Sequence, residues 1–199
     1  MIGDAGMRRR VSWPIAVLLA LGACDALASD KQPQEYLDER TAATITVVSA
    51  PLIFACARTE LAAKARDYVT LAAAAVNRSG TISYVLIGYF WSTVDPRLRQ
   101  DALPAAEPLV LQADDRRIEL TRRGQSPREA GIGEPVHAPP GPAVAPNVYA
   151  TDLAALRFVT AARRLTLLAD SGGTPLRYEL WDDQRAALGS FVRHMSGQD

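Results

Sequence analysis

Thiol and imidazole groups are among the scarcest reactive side chains in this chain, which has two cysteines and two histidines. Cys56 alternates with Phe54 and Leu52 in an apolar stretch, so we expect a buried structural thiol rather than a nucleophile. His137 lies in a proline-rich segment and His194 near the C-terminus, and neither has a second ligand at helix or hairpin spacing. The sequence therefore predicts no metal site and no cofactor, with both histidines on the solvated surface.

Adjacent carboxylates occur twice, at Asp114-Asp115 and Asp182-Asp183. A glycosidase needs two carboxyl groups that face each other across a sugar, which neighbours in sequence do not do. The first pair suits a turn, and the second suits a helix N-terminus, where the helix dipole favours anions. The chain also lacks glycine-rich nucleotide-binding patterns and the GxSxG and HExxH motifs. These residues favour a protein with no catalytic residues, and a hydrolase with dispersed catalytic residues is the alternative.

The first 23 residues have the pattern of a secretory signal peptide. Three arginines, Arg8 to Arg10, precede an apolar stretch, 11–21, that is too short to span a bilayer. The segment ends in Leu21-Gly22-Ala23-Cys24, which resembles the lipobox of bacterial lipoproteins, and this resemblance covers the signal alone. It implies that the Cys24 thiol takes a diacylglyceryl group, that the peptide is cut before Cys24, and that the new amino group is acylated. Anchoring by several acyl chains is stable, so the expected partner at Cys24 is a membrane.

Two features beside Cys24 leave the location open. Ala26-Leu27-Ala28 fits the rule for ordinary signal cleavage, which would release a soluble periplasmic protein that starts at Ser29. Asp25 resembles the inner-membrane retention signal of enteric bacteria, a rule that varies between bacteria. We expect a lipid-anchored, periplasm-facing protein of the bacterial cell envelope, with inner and outer membrane undecided and the soluble form as the alternative.

The mature chain must fold without a disulfide, since either cleavage leaves Cys56 as its one available thiol. From Cys24 onward there are 176 residues, enough for a single domain with a sizeable core. Those residues include 19 basic and 21 acidic side chains, a net charge of −2. Because there is no basic excess, nucleic acid is not an expected partner.

We divide the mature chain into a lipid anchor and tether, residues 24–43, and a single β-rich domain, residues 44–199. The polar stretch 29–35 forms the tether. At the start of the domain, Thr44–Val48 and Leu52–Cys56 are rich in β-branched and apolar residues, which predicts two short strands with a kink at Pro51. A strand interrupted by proline is expected at a sheet edge.

Two hairpins are predicted in the middle of the chain. The first pairs Val69–Val76 with Thr81–Gly88 around Asn77–Gly80, at the centre of the sheet, because Asn and Gly supply the backbone conformations of a tight reversal. A helix over Leu71–Val76 is the alternative, since its alanines favour one on propensity. The second hairpin joins residues 109–112 to 117–121 across Asp114-Asp115.

The segment Gly124–Asn147 contains six prolines and four glycines. Prolines remove backbone donors, and glycines raise the entropic cost of order. We therefore predict a mobile loop that lacks regular structure, makes few core contacts and tolerates shortening, with an ordered binding loop as the alternative.

The last fifty residues predict two helices that flank a third hairpin. Thr151 and Asp152 are expected to cap the first helix, and Asp182 or Asp183 the second. The hairpin joins 164–169 to 176–181, and the helices bury apolar residues at helical spacing: Leu153, Leu156 and Val159, then Leu188, Phe191, Val192 and Met195. The fold class is mainly β, an immunoglobulin-like β-sandwich with a C-terminal helix-hairpin-helix unit, and α+β is the alternative.

Bulky aromatic side chains gather on the strand around Gly88. Tyr89 and Trp91 point to one face, and Tyr84 and Phe90 to the other. Packing in the core is the expected role of these rings. If Tyr89 and Trp91 are exposed, they are the candidate binding patch.

These residues predict a non-catalytic envelope lipoprotein that offers an edge strand or an aromatic patch to a protein partner in an envelope assembly. Besides the hydrolase, the alternative is a small-ligand carrier, which needs a pocket between the sandwich and the C-terminal helices.

Overall fold

The computed structural model describes residues 32–95, 97, 109–124, 126–141, 143–171 and 174–197. These residues form a mainly β structure with ten strands and two helices. In chain order the elements are β1 (Gln34–Asp38), β2 (Ala43–Val47), β3 (Leu52–Ala57), β4 (Arg66–Arg78), β5 (Thr81–Ser92), β6 (Leu109–Ala113), β7 (Arg116–Leu120), β8 (Asn147–Thr151), α1 (Leu153–Ala161), β9 (Leu165–Ser171), β10 (Thr174–Asp182) and α2 (Arg185–Met195).

The long hairpin of β4 and β5 is the centre of the sheet, as predicted. Its antiparallel register runs without a break from Asp67 opposite Ser92 to Arg78 opposite Thr81. Ser79 and Gly80 form the two-residue turn with φ of 51° and 86°, and the Asn77 side chain accepts the Gly80 N–H at 3.0 Å. Positive φ at both turn positions matches the right-handed twist of the strands. The helical alternative for 71–76 is therefore wrong, because pairing on both sides outweighs alanine propensity.

All ten strands belong to one antiparallel sheet that curls. Its order is β1-β2-β4-β3-β10-β9-β6-β7, and β5 joins β4 to β8. The two ends of the curl approach each other beyond β7, where Arg123 donates its N–H to the Val148 carbonyl and Ala150 donates to the Thr121 carbonyl. The concave side encloses the apolar core, whose largest buried side chains include Phe54, Tyr149, Tyr178 and Phe191.

Pro51 does not mark a sheet edge, contrary to the expectation. It lies in the break between β2 and β3, and each of these strands has a neighbour on both sides. The C-terminal half of β4 pairs with β2, and its N-terminal half pairs with β3. The break at Pro51 thus lets two short strands share one edge of a long strand, while the proline itself needs no ladder hydrogen bond.

The second and third predicted hairpins are confirmed as β6–β7 and β9–β10. Helix α1 is capped as expected, because the Asp152 carboxylate accepts the Ala155 N–H at 2.7 Å. The cap of α2 is not Asp182 or Asp183 but Gln184, which makes no side-chain capping bond. Asp183, two residues before the helix, instead accepts hydrogen bonds from the backbone and guanidinium of Arg185.

The two helices pack against each other, and their predicted apolar faces contribute to the core: Leu156, Val159, Leu188, Phe191 and Val192 are buried. Neither of these helices is long and apolar enough to cross a membrane.

The sheet starts inside the segment expected to be a tether. β1 pairs with β2 from Gln34 to Asp38, and Asp38 is only 2% exposed. The segment lacks apolar alternation and therefore gave no strand signal. It is held by ladder hydrogen bonds and by the Asp38 carboxylate, which accepts the N–H groups of Arg40 and Gly133.

The loop 124–147 is packed structure, which corrects the prediction of few core contacts. Before Asn147 its described residues form no helix or strand, as expected, and Ala143 makes a single bridge to Trp91. However, Ala130 and Ile132 are buried in the core cluster, and the Gly131 carbonyl accepts the Thr41 hydroxyl at 2.8 Å. The physical reason is that β4 is apolar on both faces over 71–76, so its outward face also needs a cover.

Candidate functional site

Tyr89 and Trp91 do not form an exposed patch. They lie on the outward face of β5, but Tyr89 is 4% exposed and Trp91 is 8% exposed. Tyr84 and Phe90 point to the opposite face, where both pack against the core. A binding patch of Tyr89 and Trp91 requires both rings to be exposed, and they are not. The roles of these two rings therefore depend on the side chains that cover them.

Trp91 supports an aromatic cluster that does reach the surface. Its ring stacks on Tyr68 with centroids 4.0 Å apart and planes 7° apart, and its indole N–H donates to the Thr70 hydroxyl at 3.0 Å. Trp181 meets the other side of Tyr68 edge-on at 6.1 Å. The guanidinium of Arg66 lies 4.7 Å from the Trp181 ring centroid. We call these four residues, Arg66, Tyr68, Trp91 and Trp181, the aromatic platform.

Strand register assembles the aromatic platform from distant parts of the chain. Tyr68 in β4 is opposite Trp91 in β5 on one side and opposite Ala55 in β3 on the other. On β10 the residue opposite Ala55 is Glu179, and Trp181 lies two positions further along the strand. The register of β10 against β3 shifts between Leu180 and Asp182, a bulge of the kind that re-aims a side chain. Trp181 is thereby 57% exposed while its neighbours hold it in place.

Sequence reasoning missed Trp181, which was noted only as the end of a strand. Its signal was weak, because a single tryptophan at a strand terminus occurs in many cores. Trp181 reaches Tyr68 only because β10 pairs with β3 and β3 pairs with β4, and these pairings join distant parts of the chain.

A buried ionic network stabilises the end of β4 beside the platform. Asp67 is fully buried, and its carboxylate accepts hydrogen bonds from the Arg58 guanidinium at 2.5 Å and the Ser92 hydroxyl at 2.6 Å. Arg58 also pairs with the exposed Glu60. Cys56 lies opposite Asp67 in the ladder and is half-buried, and burial, together with the Asp67 charge, raises the pKa of its thiol. A raised pKa disfavours the thiolate, which agrees with a structural role.

Tyr89 contacts the loop 124–147 rather than solvent. Burial raises the pKa of its hydroxyl to about 12, although hydrogen bonds from the backbone of His137 and Val136 partly oppose this. The His137 ring meets Tyr89 edge-on at 5.7 Å, and burial lowers the pKa of His137. His137 is therefore half-buried rather than solvated, whereas His194 is exposed on α2.

An open cleft of about 580 Å³ lies on the same outward side of the sheet and is rich in arginine. It is lined by Gln112, Asp114, Asp115, Arg163, Arg164, Thr166 and Arg177. Asp114 sits in the β6–β7 turn with φ of 49°, and its carboxylate accepts the N–H groups of Arg163 and Arg164 at 2.9 to 3.2 Å. These bonds lower the pKa of Asp114. The carboxylate has a structural role, as the turn prediction implied.

Cys24, the predicted lipidation site, lies outside the described residues. Within the described part of the chain, no three His, Cys, Asp or Glu side chains are grouped as ligands of a metal ion. No known protein family, curated protein or solved structure matches the chain.

Proposed function

We propose that this chain is a lipoprotein of the bacterial cell envelope, anchored to a membrane through acyl chains on Cys24. The support is the arrangement of arginines, apolar residues and Leu21-Gly22-Ala23-Cys24 at its N-terminus. The inner and outer membranes are both compatible with it. A soluble periplasmic protein cleaved behind Ala28 is the competing form.

The domain carried by this anchor is a non-catalytic module that binds an envelope protein, and the aromatic platform is its contact surface. The observation that carries this proposal is the exposed Trp181 ring, which contacts both the Tyr68 ring and the Arg66 guanidinium. Tryptophan, tyrosine and arginine dominate the binding energy of protein interfaces, and a ring that is already ordered loses little entropy on binding. Exposed arginines of the neighbouring cleft, such as Arg177 on the same strand, would favour an acidic rim on the partner.

The edge strand β1 is the second surface that suits a protein partner. Among the described strands it pairs with β2 alone, and its Leu37 is 65% exposed. A partner strand could add to this edge through backbone hydrogen bonds. The edge strand is short, carries Glu35 and is followed directly by Glu39, features that limit unwanted pairing.

For the fold we propose an immunoglobulin-like sandwich with a C-terminal helix-hairpin-helix unit, in which α1 and α2 flank β9 and β10. The support is that opposite parts of the curled sheet share one core cluster, in which Phe54 and Leu71 are buried together with Leu111 and Leu167. A crystal structure in which two halves of the curled sheet pack face to face with Greek-key connections would support this class, and a closed cylinder without two packed layers would reject it.

Lipidation is tested by labelling cells with a palmitate analogue. We expect labelled protein in the membrane fraction for the wild type and unlabelled protein for Cys24→Ala. Equal labelling of the two, or a wild-type protein that starts at Ser29, would reject the anchor.

Partner binding is tested by photo-crosslinking in cells with benzoylphenylalanine at Glu179, which is exposed on β10 near Trp181. We expect a reproducible envelope-protein adduct that Trp181→Ala abolishes. The matched control is Ile82→Ala, which removes another exposed apolar side chain at the far end of β5. An adduct that is unchanged in Trp181→Ala, or lost equally in Ile82→Ala, would reject the platform as the contact surface.

A further inference from the structure

A cavity of about 230 Å³ lies between the outward face of β5 and the loop 124–147, apart from the aromatic platform. Ile87 and Tyr89 form its floor, and Ile132 lies in its roof. The other lining residues are Ser126, Pro127, Arg128, Gly133, Glu134, Pro135 and Pro146. The location differs from the one expected of a carrier, since the C-terminal helices do not contribute to it.

The loop is attached to the sheet on both sides of this cavity. On one side, the Asp38 carboxylate accepts the Gly133 N–H. On the other, Val144 donates its N–H to the Phe90 carbonyl at 3.1 Å. Just before Gly133, the Ile132 N–H donates to the Pro127 carbonyl at 2.9 Å, which closes a turn of the loop whose two end residues line the cavity. The space is therefore built into the folded loop, and a ligand would not have to open it.

The lining selects for a molecule without charge. The cavity surface is mostly apolar, with two isoleucines and three prolines in its lining. The phenol of Tyr89 is neutral at physiological pH, and burial raises its pKa further, to about 12. At the mouth, Arg128 and Glu134 are exposed and opposite in sign, and Glu134 lies 3.7 Å from Arg40. A charged ligand would lose its hydration without gaining a matching buried charge.

The size of the cavity limits the ligand further. An apolar cavity of roughly 150 Å³ accepts benzene, so this larger one has room for about eight to ten non-hydrogen atoms. We propose that the cavity beneath the loop 124–147 is a binding site for a small, neutral, largely apolar molecule of the size of a substituted benzene. Partner binding at the aromatic platform is independent of this site.

The test is an NMR titration of the full-length protein with 4-fluorotoluene, followed through backbone amide signals. We expect saturable shifts at Tyr89, Ile132 and Gly133. Ile87→Phe fills the cavity from the strand and Pro135→Phe from the loop, and we expect each to weaken binding about tenfold or more. Pro140→Phe is the matched control, because Pro140 lies in the same loop but does not line the cavity.

All samples contain the same membrane mimetic at the same concentration. Partition of 4-fluorotoluene into the mimetic is therefore the same for every variant and does not affect the comparison. Pro135 is exposed, so its substitution tests the site even if Ile87→Phe does not fold. The proposal would be overturned if the probe caused no shifts, or if it shifted only residues away from the cavity. It would also be overturned if folded Pro135→Phe bound the probe as the wild type does.

Discussion

The packing of the loop 124–147 leads to the sharpest prediction, which concerns Ile132→Ala. Ile132 is 2% exposed and belongs to the core cluster, although it lies in a segment of prolines and glycines. The substitution removes three carbon groups from an apolar environment, at about 0.8 kcal/mol for each. We therefore expect a loss of about 2.5 kcal/mol in the free energy of unfolding, near the lower end for such truncations because the side chain already borders a cavity.

The assay is urea denaturation of the purified protein, followed by tryptophan fluorescence and repeated by thermal unfolding. A loss of about 2.5 kcal/mol corresponds to a decrease in Tm of about 5 to 10 °C for a domain of this size. The matched control is Val144→Ala in the same loop, where the side chain is 40% exposed and the loss should stay below about 1 kcal/mol. If Ile132→Ala costs no more than Val144→Ala, the loop does not contribute to the core and the reasoning fails. On the same grounds, deletion of 127–142 is expected to destabilise the domain, contrary to the tolerance predicted from composition.

Two further predictions concern buried carboxylates. Asp67→Ala removes the buried carboxylate that accepts hydrogen bonds from Arg58 and Ser92, and it should cost about 3 to 5 kcal/mol in urea denaturation. Glu60→Ala, at the exposed end of the same network, should cost less than about 1 kcal/mol, and equal losses would contradict the network. Burial raises the pKa of Asp38, but hydrogen bonds from Gly133, Arg40 and Thr41 outweigh this and hold the pKa below its usual value. Asp38 thus stabilises the fold above about pH 4, and this stabilisation is lost as the pH falls through its folded-state pKa. In a plot of unfolding free energy against pH, Asp38→Asn should weaken the loss of stability at acidic pH. The control Glu39→Gln changes an exposed neighbour and should leave the plot unchanged. Identical plots for wild type and Asp38→Asn would refute the role of the carboxylate.

Local signals in the sequence determined the hairpins and the first helix. Gly80 adopts the positive φ of the two-residue turn while the Asn77 side chain accepts its N–H, and Asp152 supplies a carboxylate at the first turn of α1. These interactions join residues within three positions of each other. Neighbouring residue types were therefore enough to predict them. The signal and lipobox at Cys24 are local patterns of the same kind, and they lie outside the described residues.

Tertiary structure decided which faces are covered. The alternation of Tyr89 and Trp91 established that they share a face of β5, but their burial depends on Tyr68, on the loop 124–147 and on β1, which contacts that loop through Asp38. Composition described the loop as poorly hydrophobic on average. Two buried residues, Ala130 and Ile132, are enough to fix it where a strand exposes apolar side chains on its outward face.

The exposed ring of Trp181 belongs to this second group. Its position over Tyr68 requires β10 to pair with β3 and β3 to pair with β4, and it also requires the bulge before Asp182. More than one hundred residues separate Tyr68 from Trp181 in the chain. No local sequence pattern predicts that pairing, because the order of the strands depends on how the whole sheet buries its apolar side chains around one core. The same strand order determines which side chains remain on the surface for a partner.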